Sequence, residues 1–64
     1  MPDYIGMTVN ERLAMAGLIT AFDKAVNDRN RARTIEILLQ VELTSEQAAQ
    51  TADAIFANPS RYGY

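Results

Sequence analysis

The absence of both cysteine and histidine from a chain of 64 residues is the feature that most limits how it can fold. Domains of this size bury a small share of their surface, and they commonly add disulfides, a metal ion or a partner chain. Without cysteine there is no disulfide and no thiolate zinc site, and without histidine the commonest metal ligand is missing. We therefore expect well-packed helices, a second chain or both, and no metal site or cofactor.

The same two absences weigh against catalysis. Histidine is the usual general base, and cysteine is the most reactive nucleophile. Ser45 lies in a predicted helix cap and has no evident base beside it. We therefore expect no catalytic residues and a non-enzymatic protein.

Two capping boxes and the spacing of apolar residues predict an all-α fold. Thr8-Val9-Asn10-Glu11 and Thr44-Ser45-Glu46-Gln47 have the spacing at which a threonine and an acid or amide cap each other's backbone amides. Apolar residues then recur at helical intervals. The prediction is a single domain over residues 1–64, a small three-helix bundle with helices at about 9–27, 30–41 and 45–57, an N-terminal arm over residues 1–7 and a short C-terminal tail.

The first predicted helix contains, and the third is followed by, a residue with a marked conformational preference. Gly17 is placed inside the first helix, at a cost of about 1 kcal/mol relative to alanine. Asn58 is expected to end the third helix in a left-handed conformation, with Pro59 preventing continuation. The residues expected on one apolar arc of the first helix are Ala14, Met15, Leu18, Ile19, Ala21, Phe22, Ala25 and Val26.

The segment from residue 34 to residue 43 also fits a β-strand. Ile35-Glu36-Ile37 and Val41-Glu42-Leu43 alternate between apolar and polar residues. A strand at this point would have to pair with another molecule. We favour a helix because Leu38-Leu39 breaks the alternation and Arg31-Ala32-Arg33 is helix-prone.

The second predicted helix is apolar on most sides, which is the main reason to expect a partner chain. Only Arg33, Glu36 and Gln40 form a narrow polar stripe, and two short neighbouring helices can hardly cover the rest. We predict a small helical interaction or oligomerisation protein, a homodimer or a complex with another protein. The residues expected in its core and interface are Leu18, Phe22, Ile35, Leu38, Leu39 and Tyr62.

Arg29, Arg31 and Arg33 are the most distinctive polar residues. They lie where the second predicted helix begins, the end at which the helix dipole disfavours cations, and such a local conflict sometimes marks a functional site. The alternative hypothesis is a small regulator that binds nucleic acid or an anionic partner through them. The net charge of −2 disfavours nucleic acid. A solvated turn, with Arg33 paired to Glu36, is the other interpretation.

The two ends of the chain suggest its location and relatives. Met1-Pro2-Asp3-Tyr4 lacks the basic and apolar regions of a signal peptide, and no apolar run could span a membrane, so we expect a cytoplasmic protein with no membrane contact. Asn10-Glu11-Arg12-Leu13 and Asn58-Pro59-Ser60-Arg61-Tyr62-Gly63 resemble short uncharacterised helical proteins of bacteria, of alphaproteobacterial type. This resemblance implies a bacterial origin and assigns no functional residues.

Overall fold

The computed structural model describes residues 4–64, so the first three residues of the predicted N-terminal arm lie outside the described residues. The described chain is all-helical, which confirms the fold class and the helical prediction for the middle segment. The number of helices differs from the prediction, because residues 4–64 form four α-helices and one short 3₁₀ helix. These elements are α1 (Val9–Ala16), α2 (Ile19–Asn27), α3 (Arg31–Gln40), α4 (Ser45–Ala57) and the 3₁₀ helix (Pro59–Tyr62).

The first predicted helix is divided at Gly17, so the prediction of one helix over residues 9–27 was wrong. Gly17 has a φ of 72°, in the left-handed region, and its amide and the next one donate to carbonyls of the preceding turn. This pair of bonds ends a helix through a glycine. Because the chain changes direction here, the predicted continuous apolar arc does not form. Leu13 is fully buried, whereas Ala14 and Met15 are exposed.

The next two helices also end at residues in the left-handed region, although neither residue is glycine. Arg29 follows α2 with a φ of 55°, and Glu42 follows α3 with a φ of 69°. α4 ends before Asn58 as predicted, but the expected left-handed conformation of Asn58 was wrong, because its φ is −149°. Pro59 then begins the 3₁₀ helix instead of a free tail.

Both predicted capping boxes are present. The Thr8 hydroxyl accepts the Glu11 amide at 3.2 Å, and the Glu11 carboxylate accepts the Thr8 amide at 3.0 Å. Thr44 and Gln47 make the same two bonds at 3.1 and 3.0 Å. The Asn30 side chain caps α3 by accepting an amide of its first turn at 3.1 Å. The local sequence therefore fixes where α1, α3 and α4 begin.

The core is formed by all four helices together with Tyr4 of the arm. Each helix packs against the next one along the chain, and the contact between α3 and α4 is the most extensive. Ile37 and Leu38 are fully buried within the single chain. The apolar core residues are Tyr4, Leu13, Phe22, Ala25, Val26, Ile37, Leu38, Val41, Ala48, Ala52 and Ile55.

Arg12 joins the arm to the end of α3. Its Nε donates to the carbonyl oxygen of Met7 at 3.3 Å, and its Nη1 donates to that of Val41 at 3.1 Å. The guanidinium carbon lies 5.8 Å from the centre of the Tyr4 ring, a cation–π distance. Arg12 is partly buried and holds the arm against the core.

Candidate functional site

The three arginines of the predicted anion site do not converge on one point. Arg31 donates from Nε and Nη2 to the two carboxylate oxygens of Asp53 on α4, at 2.8 and 3.2 Å. Arg33 pairs with Glu36 within α3. The Arg29 side chain instead donates to a backbone carbonyl of α2 at 3.0 Å. Each guanidinium has its own partner in the chain, but only Arg33 makes a local ion pair, since Arg31 pairs with another helix and Arg29 bonds to a backbone carbonyl.

The pairing of Arg31 with Asp53 has an electrostatic consequence. The hydrogen bonds from the guanidinium stabilise the charged carboxylate and hold the pKa of Asp53 below its usual value. The pair is exposed to solvent on both sides, with side-chain exposures of 53% and 61%. Exposed pairs contribute little to stability, so this pair links α3 to α4 without adding much to the stability of the fold.

The six residues predicted for core and interface are distributed between the interior and the surface. Two of them are core residues of the single chain and are not available to a partner in this fold. Two more are half-buried, and the last two are large apolar or aromatic side chains left 42% and 47% exposed. Phe22 and Leu38 are the two core residues, Leu18 and Ile35 are the two half-buried residues, and Leu39 and Tyr62 are the two exposed residues.

An apolar stripe along α3 consists of the exposed residues Ala32 and Leu39 and of Ile35, which is half-buried against the core; we call it the α3 stripe. At about 100° per residue these three positions fall within roughly 60° of helix circumference. Ile37 lies on the opposite side, where it is fully buried in the core. α3 therefore carries apolar residues towards both the interior and the solvent.

The C-terminal tail folds back onto α2. The Tyr64 hydroxyl donates to the Asp23 carboxylate at 2.6 Å, and the Tyr64 amide donates to the carbonyl of Pro59 at 3.0 Å. Partial burial, together with the hydrogen bond to Asp23, raises the pKa of Tyr64 well above its usual value. The two side chains are 41 positions apart in sequence, and no local pattern could have predicted their contact.

A groove of about 410 Å³ lies where α1, α2, α4 and the tail meet; we call it the tail groove. Its apolar lining residues are Val9, Phe22 and Ile55. Its polar or aromatic lining residues are Thr8, Asn10, Thr51, Arg61, Tyr62 and Tyr64. A second and more open depression on the other side of the tail is lined by Ile19, Asp23 and Tyr62 among others.

The fold and its surface define a small all-α protein with an apolar stripe on α3 and a groove beside the tail. Within residues 4–64, no group of three or more acidic, histidine or cysteine side chains is placed to hold a metal ion. Over the same range, no helix has the length and apolar character needed to cross a membrane. Comparison with protein-family models, with curated proteins and with solved structures finds no match to this chain.

Proposed function

We propose that this protein is a non-enzymatic helical interaction module that forms a homodimer through the α3 stripe. The observation that carries the proposal is the 42% exposure of Leu39, on a helix whose opposite side is built into the core. A single exposed leucine is ordinary. Ile35 and Ala32 extend the same line at helical spacing, and an apolar line of this kind is how one helix packs against another.

The charges around the stripe favour a second copy in antiparallel orientation. Arg31 and Arg33 lie in the first turn of α3, whereas Glu36 lies further along and Glu42 just after its end. In an antiparallel pair the first turn of each α3 faces the Glu42 end of the other, with Arg31 and Arg33 already paired to Asp53 and Glu36 of their own chain. The partial charges of the two helix ends also attract, while a parallel pair would oppose like charges. A two-fold axis uses this one patch on both molecules.

The size of the stripe sets the expected affinity. Stable interfaces bury roughly 1,200–2,000 Å² in total, and three side chains on one short helix supply less than that. The dimer is therefore weak, and it dissociates between millimolar and micromolar concentrations. A small apolar contact between rigid surfaces is also sensitive to one introduced charge, because the charge would be buried without a partner.

Sedimentation equilibrium over that concentration range tests the proposal. The wild-type chain is expected to pass from monomer to dimer, and Leu39→Glu is expected to remain monomeric. Met15→Glu is the matched control, since Met15 is 58% exposed on α1 and lies outside the stripe. The control should dimerise like the wild type, and circular dichroism should show that both variants stay folded. A monomeric wild type at millimolar concentration, or equal effects of the two variants, would refute the proposal.

A further inference from the structure

Arg61 differs from the other basic residues in its surroundings. Among the described residues, every other basic side chain is bonded to a carboxylate or to a backbone carbonyl of this chain. Those side chains are Arg12, Lys24, Arg29, Arg31 and Arg33. The Arg61 guanidinium makes neither kind of contact within residues 4–64, although its backbone amide is bonded to the Asn58 carbonyl at 3.2 Å. Arg61 is also the single basic residue after Arg33.

The tail groove places this cation beside an apolar surface. Phe22 and Ile55 belong to the core, at 4% and 5% exposure, so the side of the groove that they form is rigid. Among the described residues that line the groove, Arg61 is the one charged side chain. Thr51 and Asn10 add a hydroxyl and an amide. The volume of about 410 Å³ falls within the range of small-molecule sites, which combine apolar walls with a few polar groups.

The tail fixes the backbone of Arg61 beside the groove. Arg61 lies in the 3₁₀ helix, and Tyr64 closes the tail by bonding to the Pro59 carbonyl at 3.0 Å and to the Asp23 carboxylate at 2.6 Å. The Asp23 carboxylate is thereby occupied by Tyr64. The backbone of Arg61 is thereby fixed, whereas its guanidinium makes no hydrogen bond within residues 4–64 and becomes ordered when it pairs with the ligand, which costs side-chain freedom.

We infer that the tail groove binds a small organic monocarboxylate with an aromatic or branched apolar body. The carboxylate pairs with the Arg61 guanidinium, whose forked donors match its two oxygens. The apolar body covers Val9, Phe22 and Ile55. One cation in the groove balances one negative charge, and the net charge of −2 on the whole chain opposes more highly charged anions. This site is separate from the α3 stripe and does not depend on dimerisation.

A pair of isosteric probes tests the inference. Binding of 3-phenylpropionate and of its neutral amide is measured by ¹H–¹⁵N NMR titration of the wild-type chain. Since a hydrogen bond to a charged group is worth a factor of about ten or more in affinity, the acid should bind at least about tenfold more tightly than the amide. The shifted resonances should include Thr51, Ile55 and Tyr62. Arg61→Gln should reduce the preference for the acid to less than about twofold, on the same scale.

Lys24→Gln is the control variant because it removes one positive charge from an exposed ion pair outside the groove. It should keep the preference for the acid. Equal binding of acid and amide, no binding of the acid, or a preference that survives Arg61→Gln would each overturn the inference. Resonance shifts confined to α3 would overturn it as well. Leu39→Glu should bind the acid like the wild type, so failure of the dimer and failure of the ligand site can be told apart.

Discussion

Replacing Gly17 by L-alanine tests why the first half of the chain forms two helices. Gly17 ends α1 with a φ of 72°, a conformation that glycine adopts freely and that L-residues with a Cβ avoid. A Cβ built at this position meets no atom within 4 Å. The substitution therefore introduces no steric clash with the rest of the protein, and its cost is the backbone conformation alone.

The expected change in the free energy of unfolding follows from two opposing contributions. A left-handed conformation costs an L-residue about 1–2 kcal/mol in the folded state. Alanine also lowers the conformational entropy of the unfolded chain, which stabilises the folded state by about 0.4–1 kcal/mol. We expect Gly17→Ala to destabilise the protein by about 1 kcal/mol. For a domain of this size that lowers the melting temperature by roughly 4–8 °C.

The matched control is D-alanine at the same position, introduced by chemical synthesis of the chain. A D-residue adopts a positive φ without strain, so only the effect on the unfolded chain remains, and stability should rise by about 0.4–1 kcal/mol. Thermal unfolding followed by circular dichroism measures both variants. If the L-alanine variant is as stable as the wild type and its helical signal at 222 nm increases, α1 and α2 have merged into one helix and the reasoning fails.

Two other substitutions address the start of α4 and the tail. Thr44→Ala removes the hydroxyl that accepts the Gln47 amide, and urea unfolding should show a loss of about 1 kcal/mol. Tyr64→Phe removes the hydrogen bond to Asp23. Because the folded state raises the pKa of Tyr64, its contribution to stability is present below about pH 10 and is lost as the pH rises further. The urea midpoint of the wild type should therefore fall more steeply at alkaline pH than that of Tyr64→Phe, and identical pH profiles would contradict this.

The parts of the fold that were predicted correctly depend on residues close together in sequence. The capping boxes at Thr8 and Thr44 bring together groups three positions apart, so their hydrogen bonds are determined by the local backbone. The same holds for Asn30 at the start of α3. Where a capping motif and the helical spacing of apolar residues indicate the same helix start, packing against neighbouring elements changes that start little. The predicted helix starts are therefore close to the observed ones.

The division at Gly17 could not be predicted in this way. A glycine costs about 1 kcal/mol inside a helix, and as a helix terminator it is favourable, so the local energies differ by an amount that packing easily exceeds. Leu13, in the last turn of α1, is fully buried in the core, and packing of this kind depends on the complete fold. The tail contact between Tyr64 and Asp23 is likewise determined by the complete fold, since the two residues belong to elements far apart in sequence.

The structure leaves less apolar surface for a partner chain than the sequence suggested. The sequence suggested that most of the apolar circumference of α3 needs a second molecule, but Ile37 and Leu38 are fully buried within one chain. What remains is the narrow line formed by Ala32, Ile35 and Leu39, too small to be required for folding. The chain should therefore fold as a monomer, and association should change its stability only through mass action. If Leu39→Glu lowered the free energy of unfolding in dilute solution, where no dimer exists, the Leu39 side chain would stabilise the monomer fold itself. The exposure of Leu39 would then be no evidence that the α3 stripe is an interface.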